Sequence, residues 1–136
     1  MIESAIALDG TKKKQSLLIV DDEEDITFVL QMMLSEYYDV EGFTNPVDAL
    51  KSVRQGRYDL ILFDYLMPEM NGYEFYRKVK GIDPAVHMCM MTAYEAIPTD
   101  HKGDKPVQPF DSKFVLKKPF DLEKILAKLD EILNGE

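Results

Sequence analysis

The strongest constraint on this chain is a set of short apolar runs, at residues 17–20, 40–43, 60–63, 86–91 and 114–116, separated by longer amphipathic stretches. All but the second are almost unbroken in Leu, Ile, Val, Phe and Met, as strands must be when both faces of a sheet are covered. Short buried strands that alternate with helical segments predict βα units wound around a parallel sheet. The expected class is therefore α/β, with five strands and helices on both faces.

The intervening stretches carry helical signals. Ile26, Val29, Leu30, Met33 and Tyr37 recur at three- and four-residue steps and predict the buried stripe of a first helix. Asn45-Pro46 combines a capping residue with proline at the first helical position; Val47, Leu50 and Val53 follow as the apolar face, with Gly56 as the stop. A third helix is expected from about 72 to 80, ended by Gly81. The last runs from 121 to about 133, with Asp121 as its cap, Leu122, Ile125, Leu126, Leu129 and Ile132 as its stripe, and Asn134-Gly135 closing it. Residues 94–112 break this rhythm. They hold Pro98, Pro106, Pro109 and Gly103 without an apolar period, so an irregular loop or a short distorted helix is expected. Residues 1–15 read as a flexible N-terminal tail and 16–136 as one domain.

Composition limits the function classes. The 136 residues suit one domain, and with 46% hydrophobic residues they can bury a core. A net charge of −9, with no basic block beyond Lys12, Lys13 and Lys14, argues against direct binding to nucleic acid or to a membrane. Cys89 is the single cysteine, so neither an internal disulfide nor a cysteine zinc cage is expected. No apolar run is long enough to span a bilayer and no leader pattern opens the chain, which gives the expectation of a cytoplasmic protein. His87 and the methionines Met32, Met33, Met88, Met90 and Met91 are read as packing residues, His101 as a solvent residue and Cys89 as a buried small hydrophobe.

Open parallel sheets bind ligands beyond the C-terminal ends of their strands. There the first strand leads into Asp21-Asp22, the third into Asp64, the fourth into Thr92 and the fifth into Lys117-Lys118-Pro119. Taken singly, an aspartate pair can be a helix cap, the 64–72 segment a turn, and two lysines a solvated pair. Together, three carboxylates converging on one rim repel unless a cation or protons compensate them. Mg²⁺, a hard cation with oxygen ligands, meets that need.

Through "LLIVDDEED", "LILFDYLMPEMNG", "MMTAY" and "KKPFDLEKI" the chain from about 17 to 133 resembles the receiver domains of two-component response regulators, in the manner of stand-alone chemotaxis-type receivers. The resemblance implies a doubly wound (βα)5, flavodoxin-like three-layer fold of strand order 2-1-3-4-5, here with an atypical or missing fourth helix. It implies phosphorylation of Asp64; Mg²⁺ held by Asp21, Asp22, Asp64 and the backbone carbonyl of Leu66; and phosphoryl contacts from Thr92 and Lys118. Three departures stand out. The lysine is doubled: with Lys118 as the active one, Val115 takes the place of the usual aromatic switch, and Phe114 is displaced by one; Lys117 is the alternative active lysine. Residues 94–112 alter the signalling face. Tyr94 and Leu66 flank access to Asp64, from which slow self-dephosphorylation is expected.

The resulting expectation is a stand-alone switch without an output domain, with both a whole protein and a fragment of a longer chain left open. It takes its phosphoryl group from a histidine kinase or histidine phosphotransfer protein, catalyses only its own aspartyl phosphorylation and dephosphorylation, and signals to a downstream protein, with homodimerisation open. The rival is a receiver-like interaction module that works without phosphorylation. A phosphoaspartate hydrolase of the haloacid dehalogenase type expects a second acid two residues after its nucleophile, where this chain has Leu66.

Overall fold

The structure, a computed structural model, describes residues 14–92, 114–118 and 121–135. Five parallel strands, β1 (Ser16–Val20), β2 (Asp39–Phe43), β3 (Leu60–Asp64), β4 (His87–Thr92) and β5 (Val115–Lys117), form one sheet of order β2-β1-β3-β4-β5. The described helices are α1 (Glu24–Leu34), α2 (Pro46–Ser52), α3 (Gly72–Ile82) and α4 (Leu122–Asn134).

Alternation along the strands builds two cores. Leu17, Ile19, Leu60, Leu62, Cys89, Met91 and Leu116 meet Leu30 and Leu34 of α1 and Ile125, Leu129 and Ile132 of α4. Leu18, Val20, Ile61, Phe63, Met88, Met90 and Val115 meet Ala49 of α2 and Phe75 and Val79 of α3. The sheet is thus sandwiched between helical layers, as the doubly wound reading requires. At roughly 25 cal/mol per Å² of apolar surface removed from water, these cores supply the main favourable free energy of folding.

Helix starts follow their caps. The Asn45 side chain accepts from the Val47 and Asp48 amides at 2.8 and 3.2 Å, Asn71 from Glu74 at 2.8 Å and Asp121 from Lys124 at 2.9 Å.

Several expectations need correction. In α1 and just after it, Val29 and Tyr37 are exposed, while Thr27, Leu34 and Tyr38 are buried. The Thr27 hydroxyl donates to the Asp21 carbonyl at 2.8 Å, so a polar residue holds a core position, while Ile26, Leu30 and Met33 face the core as expected. Met32 is exposed too, as are Val47 at the start of α2 and His87 at the start of β4. α2 stops at Ser52, since Val53 turns extended and enters the core; Gly56 instead takes φ +77° in the following turn. α3 runs through Gly81 to Ile82, where the Asp83 amide closes it on the Val79 carbonyl at 2.8 Å. Phe114 precedes β5 and packs, half-buried, on the α1/α4 side, the face opposite Val115. The calls on the tail up to residue 13, on residues 94–112 including Tyr94, and on Pro119 lie outside the described residues. Among the described residues no helix is long and apolar enough to cross a membrane.

Candidate functional site

Parallel register brings the polar strand ends together. Val20 of β1 stands beside Phe63 of β3, Asp64 beside Met91 of β4, and Thr92 beside Lys117 of β5. Beyond these ends lies an open cleft of about 250 Å³, lined by Asp22, Glu23, Asp64, Tyr65, Leu66, Thr92 and Lys118.

Asp21 follows β1 and is wholly buried. Its amide donates to the Phe43 carbonyl at 3.2 Å, its Oδ1 accepts from the Glu23 amide at 2.9 Å, and its carbonyl accepts from Thr27. Asp22 is exposed and Asp64 is buried at the end of β3. One carboxylate oxygen from each of Asp21, Asp22 and Asp64 lies within 4.8 Å of the others. Lys118 bridges two of them: its Nζ is 3.2 Å from Asp21 Oδ2 and 3.1 Å from Asp64 Oδ1. The Lys118 amide also donates to the Thr92 carbonyl at 2.8 Å, which fixes the lysine over the buried Thr92. Lys117, one residue earlier, is exposed. Of the two lysines, Lys118 is therefore the one that reaches the carboxylates.

The electrostatics follow from crowding. Burial, and then the negative charge of Asp21, push the Asp64 carboxyl up to about 6; Lys118 opposes this and Asp22 adds to it. Burial alone would lower the Lys118 ammonium, but Asp64 and Asp21 hold it above the ordinary lysine value. A lysine shared between two carboxylates, with a third beside them, leaves excess negative charge in a partly desolvated cleft. Such a donor set, all oxygen and all carboxylate, fits a hard divalent cation.

Each expected residue that lies in the described chain finds a definite place. Asp21, Asp22, Asp64, Thr92 and Lys118 converge, and Leu66 stands exposed on the cleft rim. Glu23 and Tyr65 also line the cleft and went unnoticed in the sequence, although each adjoins a residue singled out there. The β3–α3 connection is closed by the Gly72 amide, which donates to the Tyr65 carbonyl at 2.7 Å.

The sequence profile of the response regulator receiver domain matches residues 17–130. The chain is 31% identical over 120 residues to the response regulator receiver protein CpdR of Brucella abortus, a match covering 88% of this chain and 97% of that one. It is 32% identical over 123 residues to the uncharacterized transcriptional regulatory protein YkoG of Bacillus subtilis, covering 90% of this chain and 52% of the relative. It thus spans about half the length of that relative, and 26% of the length of some others. Among solved structures, the receiver domain of the sensor histidine kinase PA1611 from Pseudomonas aeruginosa aligns with a TM-score of 0.73 at 26% identity, over 88% of this chain and 98% of that one. That structure holds a magnesium ion in its active-site cleft. Profile, relatives and sheet order agree, and the chain belongs to the response regulator receiver domain family of two-component signalling systems.

Proposed function

We propose that this chain accepts a phosphoryl group on Asp64 from a phosphohistidine of a histidine kinase or histidine phosphotransfer protein, and signals through a changed protein-binding surface. The observation that carries this reading is the convergence of Asp21, Asp22 and Asp64 on one cleft with Lys118 lodged between two of them. An Asp64 oxygen forms the new bond to phosphorus, the donor's phosphorus–nitrogen bond breaks, and the imidazole leaves. Asp21, Asp22, Asp64 and the Leu66 carbonyl would hold Mg²⁺, which when bound supplies positive charge against the phosphoryl oxygens. Lys118 stays charged in this cleft and transfers its contacts from carboxylate to phosphoryl oxygen. Thr92, at the adjoining strand end, offers its hydroxyl to the same group.

In this reading the chain works in the cytoplasm as a receiver, read by a protein partner and not by nucleic acid or membrane. The phosphorylation-independent alternative is not favoured, because it leaves the crowded carboxylates and their lysine without a task. Intact-protein mass after incubation with acetyl phosphate tests the proposal. The wild type is expected to gain one phosphoryl group only when Mg²⁺ is present, and Asp64→Asn none. Equal gain without Mg²⁺, or in the variant, overturns it.

A further inference from the structure

The two helical layers differ in charge. On one side of the sheet, α1 and α4 carry five acidic residues against two lysines. On the other, α2, α3 and the turn into β3 expose Lys51, Arg54, Arg57, Arg77 and Lys78 against Asp48, with Glu74 half-buried. A chain of net charge −9 thus gathers a positive surface on one layer. The layer is tied together where its helices end: the Gly56 amide, in the turn after α2, donates to the Asp83 carboxylate after α3 at 3.1 Å. Every cation–ring pair among the described residues also lies here, with Arg57 over Tyr58 and Arg77 over Tyr73 at 5.2 Å, and Lys80 over Tyr76 at 5.8 Å. Arg57 is paired with Glu41 at 3.0 Å, and Lys80 donates to the Pro84 and Val86 carbonyls. Lys51, Arg54, Arg77 and Lys78, by contrast, have no ion pair among the described residues. Lys51 and Lys80 sit in last turns, where the helix dipole favours a cation; Arg77 and Lys78 stand in the body of α3, where it offers nothing.

We propose that the α2/α3 face docks a short acidic segment of a partner protein, whose carboxylates meet Lys51, Arg54, Arg77 and Lys78. Charge complementarity selects this occupant. Arg54 gives one nitrogen to the Lys51 and Val53 carbonyls at 2.7 and 3.0 Å, and Arg77 rests over the Tyr73 ring. Both guanidinium groups are thereby held in place with N–H groups to spare, the state in which a planar fork takes a carboxylate at least entropic cost. A nucleic acid suits the face less well. Its phosphates run on past four free cations, and the rest of a −9 chain repels them. A second copy brings the same net charge against itself, whereas a short acidic segment ends within the patch. None of the four cations lines the cleft of Asp64, so this docking does not depend on the chemistry there.

The test is an NMR titration of the ¹⁵N-labelled chain, with Mg²⁺ present and at low ionic strength, against a synthetic peptide of alternating glutamate and serine. Control peptides replace every glutamate by glutamine or by lysine, and an oligothymidylate of equal charge serves as the nucleic-acid arm. The acidic peptide is expected to shift the amides of Lys51, Arg54, Arg77 and Lys78, with an affinity that falls as salt is added. Arg77→Gln, at an exposed position, weakens it about fivefold, the upper end for one exposed ion pair, and Arg77→Lys about twofold, because the charge stays and the fork is lost. Arg54→Gln weakens it about threefold and the double variant about 15-fold, since cations on different elements act additively. Lys124→Gln, on the opposite layer, and Asp64→Asn leave the affinity unchanged. The proposal is overturned by absence of binding, by equal binding of the glutamine peptide, by shifts outside α2 and α3, or by equal weakening in Lys124→Gln, which would mean diffuse attraction only. Tighter binding of the oligothymidylate than of the acidic peptide assigns the face to nucleic acid and overturns it. Self-association that Arg77→Gln abolishes assigns the face to a second copy and overturns it equally.

Discussion

Asp64 bears the electrostatic strain of the site, and its titration is measurable. Its carboxyl is raised from 3.8 to about 6 by burial and by Asp21, so the folded chain binds this proton more tightly than the unfolded chain does. The associated stability is full below about pH 4 and is lost as the pH rises through about 6, by at most about 3 kcal/mol. Denaturant unfolding in EDTA should show that loss for the wild type, and Asp64→Asn should flatten it and be the more stable protein at pH 7. Parallel pH profiles would contradict the assignment of strain to this group. Lys118→Ala should slow phosphorylation by acetyl phosphate about 100-fold, the scale seen when one preorganised charge is removed, while Lys117→Ala leaves it nearly unchanged. Reversed effects would move the role to Lys117. The doubled lysine was ambiguous as a string of letters. Strand register settles which ammonium meets the carboxylates, because Lys117 closes β5 opposite Thr92 and Lys118 then turns into the cleft. Leu66, exposed on the rim, offers no polar group to position water; Leu66→Asn should shorten the phosphoaspartate lifetime several-fold, followed as loss of the phosphoryl mass.

At the scale of the element, the β3–α3 connection is the tightest joint near the site. A Cβ on Gly72 would stand 2.9 Å from the Tyr65 Cα and 3.1 Å from the Asp64 carbonyl oxygen, so backbone would have to move. Gly72→Ala should destabilise the chain by about 1–3 kcal/mol, measured by urea unfolding, and should also slow phosphorylation because the loop carrying Leu66 shifts. A neutral effect on both would show that the joint is slack. Strands and helix starts were legible to within a residue or two because apolar period and caps reinforce each other, as at Asn45 and Asp121, whereas α2 ends at Ser52, short of the expected stop at Gly56. The inner face of α1 was legible only in part. Counting apolar residues put Ile26, Leu30 and Met33 correctly against the core but also put Val29 and Tyr37 inside, whereas Thr27, which donates to the Asp21 carbonyl, is buried and Phe28, Val29 and Met32 are exposed. A polar core contact of that kind carries no periodic signal. The same residue ties α1 to the strand end that bears Asp21.

Across the whole molecule, the sheet order puts β1, β3, β4 and β5 side by side and thereby collects carboxylates from distant parts of the chain at one edge. This was legible because every contributing carboxylate lies within two residues of the end of an apolar run. Folding on its own gathers uncompensated negative charge there, so a divalent cation should stabilise the native state. At a Mg²⁺ concentration 100 times its dissociation constant the gain is about 2.7 kcal/mol, visible as a higher unfolding midpoint than in NaCl of equal ionic strength, and reduced in Asp64→Asn. The central claim is that Asp64 is the acceptor, and the most direct measurement locates the phosphoryl group itself. The chain is treated with acetyl phosphate and Mg²⁺, the acyl phosphate is trapped by borohydride reduction, and the reduced residue is mapped by tandem mass spectrometry. Reduction at position 64 alone is the predicted result; reduction at 21 or 22, or at no carboxylate, would contradict it.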